Sequence, residues 1–264
     1  MKPVIVQEGA GPVILGLPHT GTHVPPEIRS RMNARGRALA DTDWNIHKLY
    51  ESLLPEATTV RATFHRYVLD ANRDPSGQSL YPGQNTTGLV PLTDFEGEAI
   101  WGRPPSGGEA EYRRETYHAP YHAALAAQMQ RVHARHGVAI LYDCHSIRSR
   151  IPFLFDGVLP DFNIGTNNDE TCAPALAEAV AAICDRAGAY TSIVNGRFKG
   201  GWTTRHYGRP AQGWHAIQME LAQGTYMEEA APWPYLHERA DRMRPHLKEI
   251  LETLEHLALS GALT

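Results

Sequence analysis

The sequence predicts an α/β fold: a single domain built on a mixed, mostly parallel sheet flanked by helices. Two apolar runs, PVILGL at 12–17 and VAILYD at 138–143, are nearly continuous rather than alternating, the pattern of strands buried on both faces as parallel strands are. Segments of helical period alternate with such runs along the chain, an order that lays helices over the faces of a sheet. No internal repeat and no linker-like shift in composition divides the 264 residues, so one domain over 1–264 is the simplest reading.

PVILGL reads as a buried strand that delivers His19 at its carboxyl end. Pro25-Pro26 opens a short helix, EIRSRM, because proline is tolerated in a first helical turn. From Asp43, the residues Ile46, Leu49, Tyr50, Leu53 and Leu54 recur at helical spacing; Asp41, Thr42 or Asp43 would cap this helix and Pro55 would end it. TTVRATF and RYVLD read as two strands, the second leading into Asn72-Arg73. Residues 74–109, rich in Gly and Pro, show neither period. So long an irregular stretch is either a functional loop closing over a site or a surface insertion. Residues 110–136 form a long helix perturbed at Pro120 and stopped at Gly137. VAILYD then runs into Asp143-Cys144-His145-Ser146. A helix (APALAEAVAAICDRA, stopped by Gly188), a strand (YTSIV), a Gly/Arg-rich loop, a strand (HAIQMEL) and a helix from about Tyr235 complete the order.

A net charge of −4, with 42% hydrophobic and 20% charged residues, leaves no basic footprint for nucleic acid or an acidic membrane surface. No stretch approaches 18 consecutive apolar residues, and the first residues lack the apolar core of a signal peptide. Cys144, Cys172 and Cys184 are odd in number and lack C-x-x-C spacing, which fits a reducing cytoplasm better than a disulfide framework or a cysteine zinc knot. The expected partner is a small molecule.

Four strands thus bring unusual polar residues to one edge: His19, Asn72-Arg73, His145 and Glu220. In open α/β sheets the carboxyl edge is where ligands bind. His19 and His145, each flanked by small residues, suit a divalent ion, which takes three ligands from His and carboxylate in a catalytic site and keeps a position for water. Asp43 or Asp41, in DTDW, would supply the carboxylate. Each of these residues also has a structural reading, as a hydrogen-bonded core histidine or a helix cap. Glu220 lies in an otherwise apolar strand, where a carboxylate is costly unless paired or used; it suits a general base. Arg197, Lys199, Arg205, His206 and Arg209 lie among glycines at 196–209, and Arg148 and Arg150 follow the DCHS strand. Arginine holds carboxylates with a rigid fork, so these form an anionic-substrate pocket or a solvated basic loop.

LPHTGTHVP, DTDW, YVLDANRDP, LYDCHSI, GGWTTRHYG and HAIQMEL, in this order, resemble the N-formylglutamate amidohydrolase family over nearly the whole chain. The resemblance implies a fold distantly similar to zinc carboxypeptidases and aspartoacylases, of the phosphorylase/hydrolase-like kind. It implies hydrolysis of N-formyl-L-glutamate to formate and L-glutamate, ending a route of histidine degradation. The carried-over roles are His19 and His145 as ligands of a divalent metal, zinc by expectation, Glu220 as general base, and Asn72 with Arg73 as the grip on a substrate carboxylate. The wider group's carboxylate ligand follows its first histidine by three residues, where this chain has Thr22. The third ligand is therefore placed at Asp43, with Asp41 or His23 as alternatives. Arg148, Arg205 or His206 would take the second carboxylate or steady the oxyanion. Three other readings compete: the same metal chemistry on another acyl-amino acid, a non-catalytic binder of acidic metabolites, and a cysteine hydrolase using Cys144. The last is disfavoured because His145 is the adjacent strand residue and points to the other face.

Overall fold

Among the described residues, 2–80 and 82–263 of the computed structural model, seven strands form one sheet. Met1, Tyr81 (within the 74–109 stretch) and Thr264 lie outside them. In chain order the strands are β1 (Val4–Gln7), β2 (Val13–Leu17), β3 (Thr58–Ala62), β4 (Ala139–Ile147), β5 (Phe162–Gly165), β6 (Ser192–Val194) and β7 (Trp214–Ala222). Their spatial order is β1-β3-β2-β4-β7-β5-β6. The four central strands β3, β2, β4 and β7 are mutually parallel; β1 joins β3, and β5 joins β7, antiparallel. Every residue of β2 and β4 is buried, which explains why both read as unbroken apolar runs.

Side chains of the inner strands alternate between two cores. Val13, Leu15, Leu17, Ile140, Tyr142 and Cys144 face one of them. It is closed by α3 (Ile46–Tyr50), α6 (Pro174–Arg186) and α8 (His237–Leu259). Ile14, Ala139, Leu141 and Ala216 face the other, under α5 (Ala119–His136) and α7 (Trp202–Tyr207). The remaining helices are the short α1 (Pro26–Arg29) and α2 (Ala34–Arg37), and α4 (Gly107–Arg113). A π-helical turn, Arg114–His118, joins α4 to α5. The perturbation expected at Pro120 therefore takes the form of one wide turn just before it. Gly137, at φ +74°, stops α5 in the left-handed conformation that glycine adopts freely.

Two local expectations are corrected. RYVLD is not a strand. The Val68 N–H bonds the His65 carbonyl, the Tyr67 N–H bonds His65 Nδ1, and the Asn72 N–H bonds Asp70 Oδ1. These local bonds hold the backbone in turns that a ladder would have to break. The segment reads as a strand because Tyr67, Val68 and Leu69 are all buried. Nor do Asp41, Thr42 or Asp43 cap the following helix: α3 starts after Asn45, at φ +60°, which leaves both aspartates for other work.

Candidate metal and substrate site

The site lies at the carboxyl edge of β2, β4 and β7, on the α5/α7 side. β2 delivers His19 two residues past its end. β4 and β7 place His145 and Glu220 directly opposite each other in the ladder. Asp143 shares the His145 side of β4, while Cys144 faces the other core. Asp43 is tied in from two directions. Its N–H donates to the His19 carbonyl at 3.1 Å, and its Oδ2 accepts the Ser146 N–H at 3.0 Å.

His19, Asp43 and His145 are buried, and one candidate ligand atom from each lies within 4.8 Å of the others. Asp43 Oδ2 is 3.3 Å from His145 Nδ1 and 3.9 Å from His19 Nδ1, and the two imidazole centroids are 5.0 Å apart. Ligands on bonds of about 2.0–2.2 Å in a tetrahedron sit roughly 3.3 Å apart, close to these separations. His19 Nδ1 and Asp43 Oδ1 are buried with no hydrogen-bond partner, a costly state for polar atoms that nothing else satisfies. Behind each ring stands a carboxylate. Asp70 Oδ1 is 2.6 Å from His19 Nε2, and Asp143 Oδ1 is 3.2 Å from His145 Nε2. Such partners turn the opposite nitrogen toward an ion and raise its basicity.

Charge balance points the same way. Asp43, Asp70, Asp143 and Glu220 are all buried. Their nearby guanidinium groups are Arg66, 2.7 Å from Asp70 and 3.7 Å from Asp43, and Arg73, 3.8 Å from Asp70. With all four carboxylates ionised, they would exceed the two guanidinium groups by two charges, which one divalent cation would offset. The same excess shows in the proton affinities. Burial works against a proton on His145, yet Asp143, Asp43 and Glu220 raise its pKa well above the ordinary value. Burial raises Glu220 to about 8, opposed by His145. Asp70 is held well below the usual range, because Arg66, Arg73 and His19 together outweigh its burial.

A cavity of about 60 Å³ opens above these groups, lined by His19, His145 and Glu220 and by the arginines 66, 73 and 197. Asn85, Thr86, Thr87 and Phe95 supply another wall, so part of the irregular 74–109 stretch belongs to the site. Arg73 donates to Thr87 O at 2.8 Å, to Asn72 O at 3.1 Å and to the Thr86 and Thr87 hydroxyls. Arg197 donates to Leu154 O and Asn85 O, each at 2.9 Å. The Oδ1 of the Asn72 amide accepts the Thr203 N–H, and its Nδ2 lies 3.1 Å from His145 Nε2. A Cβ at Gly201 would land on that amide, so glycine is needed where α7 meets the site.

The other sequence candidates lie elsewhere. Arg148 is bound to Asp41 and Glu96. Arg205 donates to Gly200 O, and His206 stacks on Trp202. None of the three lines the cavity. Asp41 accepts from Tyr67 OH and the Phe95 N–H, and burial raises its pKa to about 6. His23 pairs through its backbone with Phe64 and the neighbouring residues. Cys144 is buried, and burial pushes its thiol pKa well up, contrary to what a nucleophile needs. Asp70, Asp143 and Arg66 are the contributors that sequence reasoning left without roles, whereas Arg197 is one of the loop cations it read as an anionic-substrate pocket or a solvated basic loop. Asp143 stood in the DCHS run, two residues before a candidate ligand on the same strand face, which was a usable signal. Asp70 and Arg66 gave none: they pair with each other four residues apart, but His19 and Asp43, which tie them to the site, are remote in sequence.

Comparison with known proteins identifies the family. Residues 11–227 match the family described as N-formylglutamate amidohydrolase. An N-formylglutamate deformylase of Pseudomonas putida is 44% identical over 256 residues, with 96% of each chain covered. One from Pseudomonas aeruginosa is 45% identical over 252 residues, with 94% of each covered. The crystal structure of an N-formylglutamate amidohydrolase from Ralstonia eutropha superposes with a TM-score of 0.82 at 26% identity, covering 99% of this chain and 100% of that one. A gene product of Agrobacterium tumefaciens shares the fold, with a TM-score of 0.75 at 20% identity over 100% of this chain and 97% of that one. This chain belongs to the N-formylglutamate amidohydrolase family.

Proposed function

We infer that the chain hydrolyses the formyl amide of N-formyl-L-glutamate, releasing formate and L-glutamate, with a divalent ion held by His19, Asp43 and His145. The observation that carries this reading is the meeting of those three residues beside Glu220, beneath three arginines. His19 Nδ1, His145 Nδ1 and the Asp43 carboxylate would hold the ion. Two imidazoles and one carboxylate suit zinc among several divalent ions. When bound, the ion supplies a Lewis acid that polarises the formyl carbonyl and acidifies water.

Glu220 accepts the proton of the attacking water and returns it to the departing amine. Burial raises its pKa, which strengthens it as a proton acceptor, and a bound ion beside it would lower that pKa again, so that it would rest ionised before the step. Gln218 Nε2, 3.2 Å from Glu220 Oε2, holds its orientation. Arg73 and Arg197 take the two substrate carboxylates, and Arg66 faces the oxyanion that develops on the formyl oxygen. This assignment replaces Arg148, Arg205 and His206. A formyl group is the smallest acyl group, so this reading expects a tight acyl position beside the ion.

No helix among the described residues is long and apolar enough to cross a membrane, and the three cysteines are free and buried. The free cysteines fit a cytoplasmic reaction, which we assign to the close of a histidine degradation route. Formate or acetate release from N-formyl-L-glutamate, N-formyl-L-glutamine and N-acetyl-L-glutamate tests the reading. Losing one carboxylate contact should lower kcat/KM by roughly 30-fold or more, and the acetyl compound should turn over poorly. Equal turnover of all three would remove the substrate assignment.

A further inference from the structure

The loop that carries Asn72 and Arg73 is held by two histidines from the helix behind it. His122 Nε2 is 2.8 Å from the Ala71 carbonyl, and His118 Nε2 is 3.1 Å from the Arg73 carbonyl. A carbonyl only accepts, so both nitrogens carry the proton and donate. The carbonyl between them, on Asn72, is taken by the Arg73 guanidinium itself. Three consecutive carbonyls are thus engaged, the outer two by histidines that do not line the cavity. Both histidines are buried, with Trp202 packed against each ring at 5.2 and 4.6 Å.

The helix is shaped for this contact. At the π-helical turn Arg114–His118 the Ala119 N–H reaches back five residues, to the Arg114 carbonyl. Pro120 has no N–H and would clash in a regular turn; the wide turn absorbs both defects. His118 and His122 stand four residues apart and so share one face of the helix, with their rings 4.3 Å apart. Such wide turns carry a cost in an otherwise regular helix and recur at functional sites.

We propose that His118 and His122 form a donor clamp whose work is to aim the Arg73 guanidinium at a carboxylate of the substrate, making them positioning residues for substrate affinity. The proposal rests on the Arg73 assignment above, but it does not require that the substrate be a formyl amide. Burial lowers the pKa of both rings, which keeps each a neutral donor around pH 7.

The test is the affinity of the metal-loaded protein for L-glutamate, measured by calorimetry, beside KM and kcat for N-formyl-L-glutamate. His118→Ala should weaken L-glutamate binding and raise KM by about 10- to 100-fold, the usual consequence of a misaimed contact, with kcat changed far less. His118→Gln, whose amide nitrogen reaches the same carbonyl, should recover most of the loss. In an Arg73→Ala background, His118→Ala should have little further effect, since the two changes remove one contact. Additive losses, failure of the glutamine variant to rescue, or a fall in kcat at unchanged KM would each overturn the clamp. If the wild type bound L-glutamate but released no formate, the substrate reading would fail, while the binding series would still decide the clamp.

Discussion

His19 shows how one side chain is committed to one job. Its Nε2 faces the Asp70 carboxylate at 2.6 Å, and Asp70 is in turn anchored by Arg66 at 2.7 Å. The ring therefore presents Nδ1, without another partner, to the site. Asp70→Asn should leave the ligand in place but weaken its orientation and basicity, lowering metal affinity about 10- to 100-fold in a competition with a chromophoric chelator. An unchanged affinity would show that Asp70 serves Arg66 alone. Glu220→Gln separates binding from turnover: it should retain one ion per chain and lose roughly 10²- to 10⁴-fold in kcat. Full activity in that variant would end the general-base role. At this scale legibility followed contrast. His19, His145 and Glu220 stand out because each interrupts or ends an apolar run. Asp70 and Arg66 sit in a stretch of mixed character, and the contacts that define Asp70 reach across 51 residues to His19.

Elements place these groups through strand register and close packing. The parallel ladder of β4 with β7 sets His145 opposite Glu220, so a one-residue slip would turn either side chain to the other core. The start of α7 comes so near Asn72 that only glycine fits at Gly201. Gly201→Ala should displace the Asn72 amide and cost about 1–3 kcal/mol of stability, with kcat/KM reduced as well. Denaturant unfolding and steady-state rates check this; a variant with wild-type values for both would show that the approach is slack. β2, β4 and β7 were legible because their burial on both faces imposes apolar runs. The turn at 65–73 was not, because its buried Tyr67, Val68 and Leu69 mimic a strand while His65 and Asp70 fold the backbone by local bonds. The wide turn at Arg114–His118 was signalled only by Pro120, which marks a perturbation without specifying its form.

Over the whole molecule, buried titratable groups couple stability to pH. Burial depresses the pKa of His65 and of His122 well below 6.5. In the unfolded chain both bind protons as pH falls through about 6.5, while the folded protein does not, so the unfolded state gains and stability falls. The loss begins near pH 6.5 and continues down to the folded pKa values. Urea unfolding from pH 7.5 to 5 should therefore show His122→Gln with a shallower decline than wild type, by up to about 1.4 kcal/mol per pH unit. Parallel slopes would mean that His122 is protonated in the fold. The same burial concentrates four carboxyl groups against two guanidinium groups around His19 and His145, an arrangement that calls for a doubly charged ion. The most direct measurement is therefore a zinc titration of chelator-stripped protein, following formate release from N-formyl-L-glutamate. Release should be absent at the start and rise linearly to a break at one ion per chain. Undiminished release from the stripped protein, or no break at that ratio, would contradict the account.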